Sequence, residues 1–247
     1  MKTLLPIELY KLRTTPALWV ALAVTLVLAL ASTATTILVD GAAPPPVGST
    51  AHVSKALSSA ALTSVVMLAL GVLIIAGEYR HRTIMQTYLG QPRRGLVLAA
   101  KLVTAGVLGA VLAAVTFGLT YAVAVVLYRS RGVESLPVDL GRLWVGAVIS
   151  TAVYGLLGVA LGALTRNTVA AIVGGIGWAM VVEAGILVTA VPDLAKWLPT
   201  GAATALTTTG EASAALLAPG AAALVLIGWA LLISGVAVRF SLSREAT

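Results

Sequence analysis

The chain contains six stretches of about 20 or more residues that are almost entirely apolar. A helix of this length, rising about 1.5 Å per residue, crosses the roughly 30 Å of hydrocarbon in a lipid bilayer. Polar residues do not alternate with apolar ones as they do in barrel strands, and a helix satisfies its own backbone groups inside lipid. We therefore predict six membrane-spanning helices, at residues 17–39, 56–77, 98–128, 143–165, 168–190 and 216–238.

The composition agrees with a chain that folds in lipid. Hydrophobic residues make up 59% of the 247 residues and charged residues 10%, and the mean hydropathy is +1.02. A soluble domain averages about 45–50% apolar and about 25% charged residues, and cannot hide this much apolar side chain from water. The 16 lysines and arginines are scattered and form no basic stripe, so we predict no nucleic-acid partner. The fold class we predict is an all-α integral membrane protein with a single domain over residues 1–247.

The distribution of lysine and arginine between the predicted spans indicates the orientation. Eleven lie on the side of the two termini, with Lys101 counted as a loop residue, and five lie on the other side. Both termini are therefore predicted to be cytoplasmic. An alternative is a cleaved signal peptide, since Ala29-Leu30-Ala31 resembles a cleavage site. The apolar run continues to Val39, which favours a full span.

Three loops are predicted on the outer side, and two of them, residues 40–55 and 191–215, have features of their own. Residues 40–55 contain Pro44-Pro45-Pro46 and are predicted to form an irregular cap. Residues 191–215 form a longer loop, and part of it is a candidate for a short helix that dips back into the bundle.

The sequence lacks the residues that enzyme chemistry would need. It has no GxxxxGK[ST] phosphate-binding loop and no cysteine, and its two histidines, His52 and His81, are predicted on opposite sides of the membrane. We predict no catalytic, metal or cofactor site in this chain, so any ATP would be bound by another chain.

The stretch before the first span is predicted to form a short amphipathic helix over residues 4–15. Leu5, Leu9 and Leu12 fall on one helical arc, and Pro16 separates this stretch from the first span. Such a helix would lie along the headgroups of the membrane lipid as an elbow. The alternative is a basic flank that only fixes the orientation.

The loop after the second span, residues 78–97, has an apolar face. Ile84 with Tyr88 and Met85 with Leu89 are pairs four residues apart, which meet on one side of a helix. A short helix of this kind is suited to docking into a groove on a partner. The alternative is a solvated basic loop, which would explain the arginines but not the apolar face.

Two motifs then resemble a known family. Glu8-x-x-Lys11-Leu12-Arg13-Thr14-Thr15, ahead of the first span, and Gly77-Glu78-Tyr79-Arg80-His81-x-Thr83-Ile84, after the second, resemble the permease subunits of type-2 ABC exporters. The resemblance implies an amphipathic elbow, six spans, a dimer of permease chains and two copies of a separate ABC ATPase that bind Mg-ATP. The second permease chain would make a homodimer or a heterodimer. Arg82 stands where the family is expected to have a small residue.

The resemblance also implies roles for individual residues. Glu8, Lys11 and Arg13 would belong to the elbow. Independently of the resemblance, Glu78 is predicted at the membrane surface on the side richest in basic residues, so we expect it to lie near Lys11 or Arg13. Coupling to the ATPase would involve Glu78, Arg80, Arg82, Thr83, Ile84, Met85, Tyr88 and Leu89. The implied function is ATP-driven export across the cell (plasma) membrane. The apolar composition indicates a hydrophobic or amphipathic cargo, such as a drug in multidrug efflux, a lipid or a peptide-like compound.

Glu183 is the one charged residue predicted deep in a span, and it is a candidate pathway residue. There it would contact a polar or cationic part of the cargo. The structural alternatives are a protonated carboxyl bonded to Tyr121, Tyr154 or Thr189, or a side chain that reaches the outer headgroups.

Two small-residue motifs, Gly158-x-x-x-Gly162 and Ala105-x-x-x-Gly109, are typical of close helix packing. They are predicted to pack helices within the chain, with a dimer seam or a mobile gate as the alternative.

Two other classes of protein stay open at this point. An ATP-independent secondary transporter or channel would need several polar groups within the membrane for its coupling ions. A membrane scaffold protein would need no docking helix.

Overall fold

The computed structural model describes residues 8, 10, 11, 14–39, 46–58, 60–80, 94–210 and 213–243. This part of the chain is helical and contains no strand. The helices of eight or more residues are α1 (Pro16–Leu38), α2 (Thr50–Leu57), α3 (Ala60–Arg80), α4 (Arg94–Ser130), α5 (Leu140–Thr165), α6 (Thr168–Gly177), α7 (Pro199–Thr207) and α8 (Pro219–Ser243). A π-helical segment, Trp178–Leu187, and a final turn, Val188–Ala190, continue α6, and Pro192–Ala195 forms a single turn.

Six helices of the described chain are long and apolar enough to cross a membrane, which confirms the predicted number. Each of the six predicted segments overlaps one of them, with ends that differ by up to six residues. The longest is α4, whose 37 residues correspond to about 55 Å of helix.

Side-chain caps explain where several helices begin. Ser49 accepts a hydrogen bond from the backbone N–H of His52 at the start of α2, and Asp139 accepts one from Arg142 at the start of α5. Asn167 does the same for Ala170 in α6. Each cap satisfies one of the backbone donors that a helix start leaves open.

Helix α5 lies at the centre of the bundle and packs on α3, α4, α7 and α8. Its small residues permit close approach: a methyl group at Gly158 would collide with the carbonyl oxygen of Leu68 in α3, and one at Gly162 would meet Ile75. In the second motif, a methyl group at Gly109 would lie 2.7 Å from the carbonyl oxygen of Thr151. Both motifs therefore pack helices within the chain, as predicted.

The outer helices α1, α6 and α8 leave large apolar side chains exposed. Only 17% of the most apolar part of α6 with its π-helical continuation is buried, against 61% for α5. Two glycines of α6, Gly174 and Gly177, have no neighbour within 4 Å of an added methyl group. This surface suits an apolar surrounding better than water.

The bundle has two ends. Glu8, Glu78 and Lys101 lie at the N-terminal end. Helix α2, the 131–139 loop and the 208–210 turn lie together at the opposite end, where Arg131 donates to the carbonyl of Leu38 and the N–H of Thr209 to Ser54.

The 40–55 loop is not wholly irregular, so that prediction is corrected. Its last residues begin α2, because Ser49 caps the helix and because His52, Val53, Ala56 and Leu57 bury one face of it. In the 191–215 segment the predicted short helix is present as α7. Ala202, Ala205 and Leu206 of α7 are buried in the core that α5 and α8 share.

Two predicted elements lie largely outside the described residues. Of the elbow, residues 4–15, the structure describes Glu8, Tyr10, Lys11, Thr14 and Thr15. Of the loop at residues 78–97, it describes the ends, 78–80 and 94–97.

Candidate functional site

Four charged residues meet at the N-terminal end of the bundle: Glu8, Lys11, Glu78 and Lys101. We call them the ion cluster. They come from three parts of the chain, namely the segment before α1, the last turn of α3 and the first half of α4. Among the described residues of this cluster, two are acidic and two are basic, and each base contacts both acids. Charges away from water are found paired in this way.

Lys101 is the buried centre of the ion cluster, with no exposed surface. Its Nζ donates to Glu8 Oε2 over 2.9 Å, to Glu78 Oε1 over 2.8 Å and to the carbonyl oxygen of Ile74 over 3.1 Å. A lysine ammonium has three N–H donors, so all three are satisfied. The side chain thereby joins α4 both to α3 and to the segment before α1.

Lys11 completes the ion cluster from its outer side, with 40% of its side chain exposed. Its Nζ donates to Glu78 Oε1 over 2.8 Å and to Glu8 Oε1 over 3.2 Å. Burial by itself lowers the pKa of Lys11, but the hydrogen bond and charge of Glu78, followed by those of Glu8, outweigh it and raise the pKa above its ordinary value. The predicted proximity of Glu78 and Lys11 is confirmed.

One oxygen atom of the ion cluster has no hydrogen-bond partner among the described residues. It is Glu78 Oε2, which is buried. At the next residue of α3, the ring centre of Tyr79 lies 5.3 Å from the guanidinium of Arg166, and this contact links the end of α3 to the end of α5.

The other predicted coupling and elbow residues lie outside the described part of the chain. These are Arg13, Arg82, Thr83, Ile84, Met85, Tyr88 and Leu89. Arg80 is described only as the last residue of α3, without its side chain. The predicted coupling helix therefore stays a prediction.

Lys101 is the residue that sequence reasoning missed. The orientation count treats it as a loop residue, whereas the structure places it inside α4 and fully buried. Lys101 lies in the second turn of the candidate span Gly95–Ser130, so a second buried charge besides Glu183 lies within a span, closer to its end. The available signal was an isolated lysine between apolar neighbours in a long apolar run, which requires a partner. Without Lys101, ten basic residues lie on the side of the termini against five on the other, so the predicted orientation is unchanged.

Glu183 lies in the π-helical segment and is 2% exposed. Its Oε1 accepts a hydrogen bond from the indole Nε1 of Trp178 over 2.6 Å, and its Oε2 accepts one from the backbone N–H of Thr200 over 2.7 Å. The i→i+5 winding of a π-helix places Trp178 and Glu183 one turn apart on one side, where an α-helix would separate them. Two donors on two oxygens suit a carboxylate.

The partners predicted for Glu183 are wrong, because the backbone of α7 donates to its Oε2 instead. Tyr154 bonds to the hydroxyl of Thr200, at 3.2 Å, and not to Glu183. Thr189 donates to carbonyls of its own helix, and Tyr121 packs in a different cluster with Phe117 and Tyr128. Leu198, at the N-cap of α7, offers no side-chain bond, so Glu183 serves as the cap from another helix.

A cavity of about 90 Å³ lies beside this capped helix end, between α3, α5, the π-helical segment and α7. Apolar side chains and five hydroxyl groups line it: those of Ser64, Tyr154, Thr200, Thr204 and Thr207. Glu183 does not line the cavity. It accepts a hydrogen bond from the backbone N–H of Thr200, and Thr200 lines the cavity.

His52 and Tyr128 form a buried polar pair at the end of the bundle opposite the ion cluster. His52 Nδ1 is 2.6 Å from the hydroxyl of Tyr128, and both side chains are buried. Within the described residues, no group of three histidine, cysteine or acidic side chains is placed to hold a metal ion. His81 lies outside those residues.

No protein-family model and no curated protein sequence matches this chain.

Proposed function

We propose that this chain is the permease subunit of an ATP-driven ABC exporter in the cell membrane, as its two short motifs imply. In this proposal α1, α3, α4, α5, α6 with its continuation, and α8 span the membrane. The N-terminal end of the bundle faces the cytoplasm, where two copies of a separate ATPase chain bind Mg-ATP. A second permease chain, identical or related, completes the pathway for a hydrophobic or amphipathic compound.

The observation that carries the proposal is the link between Lys11 and Glu78 in the ion cluster. Each residue belongs to one of the two motifs, and 67 residues separate them in sequence, yet their side chains lie 2.8 Å apart. An exporter driven by a separate ATPase needs its docking region joined to its spans. The ion cluster joins the segment before α1 to α3 and α4, the two helices that residues 81–93 connect.

An ion-coupled transporter is less well supported. It would need charged groups in the membrane that are free to bind and release ions. Both oxygens of Glu183 are engaged by Trp178 and Thr200, and all three donors of Lys101 are satisfied. These two buried charges therefore have structural partners already, and Glu78, whose Oε2 is open, is held through its Oε1 by Lys11 and Lys101.

The test is complex formation with an ATPase chain encoded beside this one and carrying GxxxxGK[ST]. We expect the two chains to co-purify from membranes after co-expression. Tyr88→Asp places a charge on the predicted docking face and should abolish co-purification while the permease still inserts. Tyr10→Asp, at an exposed position outside that face, is the matched control. Co-purification of Tyr88→Asp at the native level would contradict the docking face, and no complex with the native chain would contradict the proposed function.

A further inference from the structure

The Lys101 ammonium joins three separate segments of the chain at the N-terminal end. A lysine that only neutralised one acid would need a single partner, whereas Lys101 has acceptors on the segment before α1 and on both the side chain and the backbone of α3. It reaches them from α4 with no exposed surface. Directional bonds from a buried group hold their partners more rigidly than an exposed ion pair does.

We propose that Lys101 is a positioning residue that fixes the segment of Glu8 and Lys11 against the ends of α3 and α4, so that the three parts move as one unit. In the proposed function, on which this role in transport rests, ATPase movement received between α3 and α4 passes through Lys101 to the segment before α1. Whether the three parts are held together depends on this chain alone, so it can be tested without the ATPase.

The outer half of the ion cluster is too weak to replace Lys101. Lys11 has 40% of its side chain exposed, and solvent and salt screen such a pair. Lys101 is excluded from water, so salt screens its bonds much less. If Lys101 holds the segment, its position should not change at high salt. If only Lys11 holds it, the segment should loosen at high salt.

The experiment measures the distance between spin labels on the full-length chain in lipid nanodiscs. The chain has no cysteine, so Tyr10→Cys and Val169→Cys introduce one label in the segment and one at the start of α6, both at exposed positions. Dilution with unlabelled chain removes distances between copies. We expect one narrow distance distribution that 1 M KCl leaves unchanged.

Two variants separate positioning from stability. Lys101→Met leaves Glu8 and Glu78 short of a cation and should lower the thermal midpoint by roughly 10 °C. Glu8→Ala with Lys101→Met removes one acid as well, leaving Lys11 and Glu78 as a matched pair, and should recover most of that loss. The distance distribution of the double variant should nevertheless be broad, and broader again in 1 M KCl.

Lys196→Met is the matched control, because it removes a lysine from an exposed pair with Asp193 at the opposite end. It should leave the distance distribution narrow. A narrow distribution in the Glu8→Ala, Lys101→Met variant would overturn the positioning role and reduce Lys101 to a stabilising residue. If the native chain binds no ATPase, the proposed function is overturned. The spin-label distances would still decide whether Lys101 positions the segment.

Discussion

The carboxylate of Glu183 caps helix α7, with its Oε2 2.7 Å from the backbone nitrogen of Thr200. A negative charge at a helix start satisfies an open backbone donor and interacts favourably with the helix dipole. The π-helical winding brings the indole N–H of Trp178 to the other carboxylate oxygen, Oε1. One residue thus fixes α7 to the long helix that precedes it.

Glu183→Gln should destabilise the protein although it preserves the shape of the side chain. Glutamine offers one acceptor oxygen and one NH₂ group, so its NH₂ must face either the indole N–H of Trp178 or the N–H of Thr200. Leaving a fully buried donor unsatisfied costs about 1–3 kcal/mol, and because Trp178 is 54% exposed we expect a loss near the lower end of this range. The free energy of unfolding in detergent measures this loss. Glu134→Gln, in the exposed loop before α5, is the control and should be neutral.

The Gln variant also tests whether Glu183 acts in the pathway. A loss of transport that exceeds the loss of folded protein would assign the carboxylate to the cargo. Transport that falls only in proportion to folded protein would leave Glu183 a structural cap.

Two glycine substitutions should have opposite effects. At Gly158 a methyl group would collide with the backbone of Leu68, so Gly158→Ala should destabilise by about 1–3 kcal/mol. At Gly174 the surrounding space is open, and alanine should stabilise the helix by about 0.5–1 kcal/mol. Thermal unfolding of the two variants side by side measures the difference. Equal midpoints would contradict the packing of α5 on α3.

The Lys11 ion pairs should stabilise the chain at neutral pH and fail at high pH. The folded-state pKa of Lys11 is raised above 10.5, so its contribution is fully present below that pH and is lost as the pH rises through the raised value. Unfolding between pH 9 and pH 12 should therefore show a steeper loss of stability for the native chain than for Lys11→Met. Parallel curves would mean that the pair contributes nothing to stability.

The proposed orientation can be tested with single cysteines in this cysteine-free chain. Ser135→Cys, in the exposed loop at the opposite end, should react with a membrane-impermeant maleimide on intact cells. Ser49→Cys and Thr208→Cys should react as well, more slowly since both positions are half-buried. Thr14→Cys and Thr87→Cys should react only after the cells are opened. Labelling of Thr87→Cys from outside would reverse the orientation.

The six long helices were predictable because apolar length is a local property of the sequence. Any apolar run such as residues 143–165 must become a helix if it is to satisfy its backbone in lipid. The small-residue motifs of α4 and α5 were predictable on the same local basis, since small residues four positions apart lie on one face of a helix.

The polar contacts were less predictable because they depend on residues far apart in sequence. Glu8 lies 93 residues from Lys101, and nothing local marks them as partners. The link from Lys11 to Glu78 was predicted from charge and membrane depth, but the bonds of buried Lys101 to Glu8 and Glu78 were not. The bond from Trp178 to Glu183 depends on a π-helical segment, which no residue pattern in the sequence indicates.

The decisive measurement is ATP hydrolysis by the purified chain, alone and together with an ATPase chain that carries GxxxxGK[ST] and is encoded by a neighbouring gene. We expect no hydrolysis by the isolated chain, which lacks a phosphate-binding loop. In proteoliposomes that hold both chains, we expect hydrolysis that Tyr88→Asp reduces to the rate of the ATPase alone. ATP turnover by the isolated chain, or an ATPase whose rate the native permease and Tyr88→Asp leave equally unchanged, would contradict the proposed function.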